Sequence, residues 1–147
     1  MKGSIFIFLL LIPALALSAN LTPTEKRRIE HEATEALKTM ISLWKDGKFE
    51  ELYEYGSRGK QTSISKESFI SRMRKQSWEI ASSWEAIQNV EGDVVSPKLV
   101  YVRAKIGYKK KTGGDTKFVT ETFKMNLEGG KWRTDLSKFL GSTKRQH

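Results

Sequence analysis

The chain of 147 residues contains no cysteine. That excludes lipid attachment at a lipobox, disulfides, thiolate metal sites and a cysteine nucleophile. Histidine is nearly as scarce, with only His31 and His147. His31 and Glu35 lie one helical turn apart, but there is no second histidine beside them and no third ligand to complete a zinc site. No metal and no cofactor are therefore expected. The serines form no Gly-x-Ser-x-Gly elbow, and Gly113-Gly114 has neither the helix nor the Lys-Ser/Thr of a phosphate loop. Long apolar runs are also missing. The longest, Ile5 to Ile12, ends at Pro13, well short of the roughly 20 residues that a membrane-spanning helix needs.

That short run is the first informative feature present. Lys2, the apolar stretch and the small-residue end Ala14-Leu15-Ala16-Leu17-Ser18-Ala19 are the three parts of a secretory leader. Residues 1–19 are read as a signal peptide, cut after Ser18 or Ala19, with an uncleaved anchor as the alternative. The expected location is periplasmic or extracellular, with no membrane anchor after cleavage. The rest is long enough for one domain, read as residues 20–137, with a basic flexible tail over 138–147. Lysine and arginine number 26 against 17 acidic residues, a net charge of +9. Such a field favours anionic partners and says nothing about fold.

The local signals order the domain. Thr22-Pro23-Thr24-Glu25 is a capping box with proline at the first helical position. Ile29, Ala33, Ala36, Leu37, Met40, Ile41 and Trp44 then share one helical face, and Asp46-Gly47 ends the helix. A short helix follows over Lys48–Tyr55, closed by Gly56. Ser57 to Ser63 reads as loop. Ser65 caps a third helix that turns Phe69, Ile70 and Met73 inward and Arg72, Arg74 and Lys75 outward. After Trp78 the period drops to two. Trp84–Val90 reads as a first strand, with turns at Gly92-Asp93 and Ser96-Pro97. Leu99–Tyr108 is the strongest strand, with Val100, Val102, Ala104, Ile106 and Tyr108 on one face and Tyr101, Arg103, Lys105 and Gly107 on the other. Lys109 to Thr116 reads as a basic hairpin loop, Lys117–Leu127 as the return strand, Glu128-Gly129-Gly130 as a tight turn and Lys131–Leu136 as the last strand. Helices followed by antiparallel strands make an α+β fold in which helices cover a four-stranded sheet.

This order resembles the nuclear-transport-factor-2-like superfamily, a cystatin-like group, and within it the small exported bacterial members of uncharacterised role. The likeness rests on Trp44-x-x-Gly47-x-Phe49-x-x-Leu52-Tyr53, the serine-rich loop, the helix with Phe69 and Met73, and the meander ending in Gly130-Lys131-Trp132-Arg133. It spans about Thr24 to Leu136. The resemblance implies a cone: a curved sheet wraps the helices and leaves a pocket between its concave face and the long helix. Some members, such as ketosteroid isomerase and scytalone dehydratase, are enzymes with Asp, His and Tyr inside the cone. Others only bind a ligand or dimerise through the sheet. Here the inward positions Val100, Val102, Ala104 and Ile106 do not ionise, and neither long strand carries an aspartate.

Glu121 is the exception, set between Val119 and Phe123 in the apolar phase. A carboxylate held away from water there suits a general base, unless a bulge or the pocket mouth turns it outward. Tyr53, Trp78 and Trp84 flank the helix-to-sheet junctions and are, with Glu121, the candidate pocket residues. On the opposite face Tyr101, Arg103, Lys105 and Lys124, together with Lys109, Lys110 and Lys111 at the hairpin, form a candidate binding surface. Export argues against nucleic acid as the partner. The expected function is a non-enzymatic binding module that uses the pocket or the basic sheet face for a small ligand or a protein, with homodimerisation through the sheet. One alternative is a small isomerase or hydro-lyase with Glu121 as base and a tyrosine as proton donor. The other is a binder of an anionic envelope polymer or a membrane surface.

Overall fold

A computed structural model describes residues 20–141. The leader and the last six residues of the tail lie outside these. The long helix α1 spans Pro23–Lys45. Its capping box is complete: Glu25 N donates to Thr22 Oγ1 and Thr22 N donates to Glu25 Oε2. Ile29, Ala33, Leu37, Met40, Ile41 and Trp44 are buried along one stripe, as the spacing predicts, while Ala36 is half-buried. Three short helices follow: α2 (Phe49–Tyr53), α3 (Arg58–Ser63) and α4 (Lys66–Arg74). Helix α3 replaces the expected loop. It buries nothing, so no apolar period betrays it. Its end is held by the Tyr53 hydroxyl, which lies 2.9 Å from Gln61 O and 2.6 Å from Ile64 O. Ser65 caps α4 as read, and Phe69 and Met73 are buried.

The strands are β1 (Trp78–Ile80), β2 (Ile87–Ser96), β3 (Leu99–Lys110), β4 (Lys117–Glu128) and β5 (Lys131–Arg133). All pairings are antiparallel. β4 takes one edge of β3; β1 and β2 share the other, end to end, so the sheet is four strands wide. A detour with a 3-10 turn at Ser83–Glu85 separates β1 from β2. α1 packs against this strongly curled half-barrel sheet.

The strand expected over Trp84–Val90 runs Ile87–Ser96, and the last ends at Arg133, not Leu136; three further expectations are corrected. Gly92-Asp93 is no turn, because both residues pair with β3, opposite Val102 and Tyr101. Glycine is needed there for close approach: a Cβ would stand 2.7 Å from Glu30 Cγ of α1, and Gly92 N donates to Glu30 Oε1 at 3.1 Å. Lys109 and Lys110 belong to β3, not the hairpin loop, and pair with Glu79 and Trp78. The Gly129-Gly130 turn is as read, with both φ values positive, the conformation a two-residue hairpin demands.

The third correction concerns the chain's end. Ser137–Leu140 forms a one-turn helix, α5, instead of the start of a frayed tail. Phe139 is fully buried, with its ring 5.8 Å from Trp44 and 6.2 Å from Phe123. Gln76 Nε2 holds the Phe139 carbonyl at 2.7 Å, and Asp135 accepts from Ser137 N at 2.9 Å. Burial opposes the Asp135 charge, but the Ser137 hydrogen bonds and Lys60 outweigh it and keep its pKa below the ordinary carboxylate value. One turn is too short for a periodic signal. Phe139→Ala is expected to destabilise the fold by about 3–5 kcal/mol in urea unfolding; a loss under about 1 kcal/mol would mean that α5 is not part of the core.

Candidate functional site

The pleat of β3 gives the sheet two contrasting faces. On the concave side Val100, Val102, Ala104, Ile106 and Tyr108 are all fully buried. Glu121 on β4 stands opposite Ala104 in this inward phase, so the alternation is unbroken. The small Ala104 leaves room for the Tyr108 hydroxyl to reach down the strand and donate to Glu121 Oε2 at 2.5 Å. Around this pair the concave face is filled by rings. Trp44 packs on Tyr108 at 5.8 Å, and Phe139 wedges between Trp44 and Phe123.

The other pocket candidates are dispersed. Tyr53 is nearly buried, 5.6 Å from the Phe69 ring, with its hydroxyl engaged at the end of α3. Trp78 is buried in β1 beneath the Lys110 ammonium, 5.5 Å from its ring. Trp84 is 71% exposed on the detour. These three and Glu121 line none of three surface clefts formed by described residues. One of about 480 Å³ lies over α4, between Glu50, Glu67, Ile70, Ser71, Arg74 and Lys75. The other two, of about 300 and 370 Å³, are on the outer sheet face and meet at Glu91 and Arg103.

That outer face is organised in register rows. One row runs Asp93, Tyr101, Lys124; the next runs Glu91, Arg103, Thr122. Arg103 is bound to Glu91 at 2.6 Å. Further along β3, Lys105 lies beside Thr120, with its ammonium 4.7 Å from the Phe118 ring. Tyr101, Arg103, Lys105 and Lys124 therefore share a face. Lys109, Lys110 and Lys111 lie at the far end of β3: Lys109 and Lys110 pair with β1, Lys109 in the outward phase, and Lys111 Nζ donates to Arg74 O of α4 at 2.9 Å.

The face is less basic than β3 and β4 alone suggest, because β2 adds an acidic column, Glu91 and Asp93. It is also more apolar. Among the described residues, the exposed large hydrophobic side chains are Trp84, Val95, Tyr101 and Phe118. Val95, Tyr101 and Phe118 are in the outward phase of their strands. Trp84 belongs to the detour, whose backbone crosses β3 at Gly107, where an outward Cβ would collide with Glu85 O. The acidic column escaped sequence reading because Gly92-Asp93 was taken as a turn; the signal that finds it is the alternation Glu91, Asp93, Val95.

Among the described residues, no group of three His, Cys, Asp or Glu could hold a metal ion. His31 is exposed, and Glu35 is engaged by Lys38 at 2.9 Å. No described helix is long and apolar enough to cross a membrane. Comparison with protein-family models and with curated proteins gave no match to the chain. Gly107→Ala is expected to push the detour off β3 and lower stability by about 1–3 kcal/mol in chemical denaturation; an unchanged midpoint would show that the detour does not depend on that contact.

Proposed function

We propose that this chain is an exported binding module without catalytic activity, built on the nuclear-transport-factor-2-like cone, that works through the outer face of its sheet. Its first partner is a second copy of itself. The observation that carries this reading is the exposure of Val95, Tyr101 and Phe118 in the outward phase of three neighbouring strands, with Arg103 between Tyr101 and the Phe118 row. Aromatic residues and arginine are enriched at protein interfaces, and exposed apolar patches mark interaction sites.

The charges favour a second copy. A twofold axis running along β3 sets the β2 column of one copy over the β4 column of the other, with Asp93 over Lys124 and Tyr101 over Tyr101. A symmetric interface must be self-complementary in this way. An axis across the strands would instead oppose acid to acid. On the concave side, the packing of Trp44, Phe123 and Phe139 supports a structural role for that face.

A second reading keeps Glu121 as general base and Tyr108 as proton donor of an isomerase or hydro-lyase. Their 2.5 Å hydrogen bond is the observation in its favour. Glu121→Gln separates the two readings. The binding module keeps its self-association and, within about 1 kcal/mol, its stability; lost turnover with retained ligand binding would favour the enzyme.

Lys124→Asp is expected to weaken self-association about tenfold, since it sets like charges opposite each other twice per dimer. Adding Asp93→Lys restores it. Sedimentation velocity checks both, and a chain that stays monomeric throughout would overturn the reading.

A further inference from the structure

The opposite end of β3 carries a second feature, independent of the outer-face reading. Two separate segments that together carry six cations meet at one corner: Arg72, Arg74 and Lys75 where α4 ends, and Lys109, Lys110 and Lys111 where β3 ends, with Lys109 and Lys110 on opposite faces of the strand. The segments are tied by Lys111 Nζ on Arg74 O and Lys111 N on Ser77 O, both at 2.9 Å. Six cations elsewhere meet carboxylates, Arg28–Glu32, Lys38–Glu35, Lys60–Asp135, Lys66–Glu54, Arg103–Glu91 and Arg133–Glu128, while others, such as Lys26, Arg27 and Lys98, are in none of these pairs. Among the described residues, none of the six corner cations has such an ion pair. Glu79 of the adjoining β1 is the carboxylate opposite Lys109. The C-terminal end of α4 favours Lys111 and the cations of its own last turn, Arg72 and Arg74, but it does not account for Lys109 and Lys110.

We propose that this corner docks on the surface of a membrane with anionic headgroups. A cluster of several lysines and arginines gains about 1 kcal/mol per cation near such a surface. The corner favours a plane over a threaded polyanion. The cleft that reaches Arg74 and Lys75 is walled on its other side by Glu50 and Glu67, so a chain of acidic groups running through it would meet two carboxylates. A headgroup plane touching the ends of α4 and β3 would not. Trp78 beneath Lys110 is buried, and the exposed Val95, Tyr101 and Phe118 lie on the outer sheet face instead. The attachment is therefore electrostatic and reversible, and weakens with salt.

Flotation of the chain from Asn20 onward with vesicles tests this; its core is assembled within residues 20–141. Binding is expected with phosphatidylglycerol mixed into phosphatidylcholine, and not with phosphatidylcholine alone. The triple variant Arg74→Gln, Lys75→Gln, Lys110→Gln should weaken partitioning on the order of 100-fold. The triple variant Lys26→Gln, Arg27→Gln, Lys98→Gln, which removes the same charge far from the corner, should weaken it less than about fivefold. Circular dichroism confirms that each variant is folded. The proposal is overturned if the chain ignores anionic vesicles or if the two triple variants lose binding equally. It is also overturned if alginate or duplex DNA at equal charge strips the protein from the vesicles.

Discussion

The two-residue period of β3 is the constraint on which the rest depends. Both edges of this strand are paired, and it is twelve residues long. Its inward row from Val100 to Tyr108 is removed from water by α1 and by the curl of the sheet, and burial of each such side chain contributes about 1.5–3 kcal/mol. A register slip of one residue would send Arg103 and Lys105 into that core, which makes the register hard to change. Fixing the inward row also fixes the outward one. Tyr101, Arg103 and Lys105 have nowhere else to point, and Val95 and Phe118 follow on the neighbouring strands.

The curled half-barrel is filled by parts that the strands do not supply. α5 places Phe139 against Trp44 and Phe123, so helix, sheet and chain end meet in one ring cluster. Glu121 sits beside this cluster with its carboxylate held by Tyr108. A half-buried carboxylate that accepts a strong hydrogen bond is tolerated in an apolar setting because the bond offsets desolvation. The same geometry thus lets the concave face be closed by packing while the outer face stays open to a partner.

Much of this was legible in the residues. α1 was, because its cap and stripe are long and periodic, and so were β3 and β4, because their alternation is unbroken. Glu121 was correctly placed inward by counting from Val119 to Phe123. What was missed lacks a local signal. α3 is six residues long and buries no side chain. α5 is one turn long. Gly92 carries the composition of a turn but serves the close approach of Glu30. The site suffered for the same reason: reading Gly92-Asp93 as a turn hides the acidic column, Glu91 and Asp93, that β2 adds to the outer face. Tyr53, Trp78 and Trp84 flank helix-to-sheet junctions, but they serve a helix end, a strand edge and the exposed detour, three places that only tertiary contacts define.

If a second copy covers the outward row of the sheet, as proposed, side chains on that row lose access to solvent when the chain self-associates. The absence of cysteine makes this loss directly measurable, because a single introduced thiol reports only its own site. Thr122→Cys sits on the outer face and Thr39→Cys on the exposed side of α1. The rate of thiol modification, followed as protein concentration rises, should fall several-fold at position 122 and stay constant at position 39. Equal rates at both positions, independent of concentration, would contradict the account.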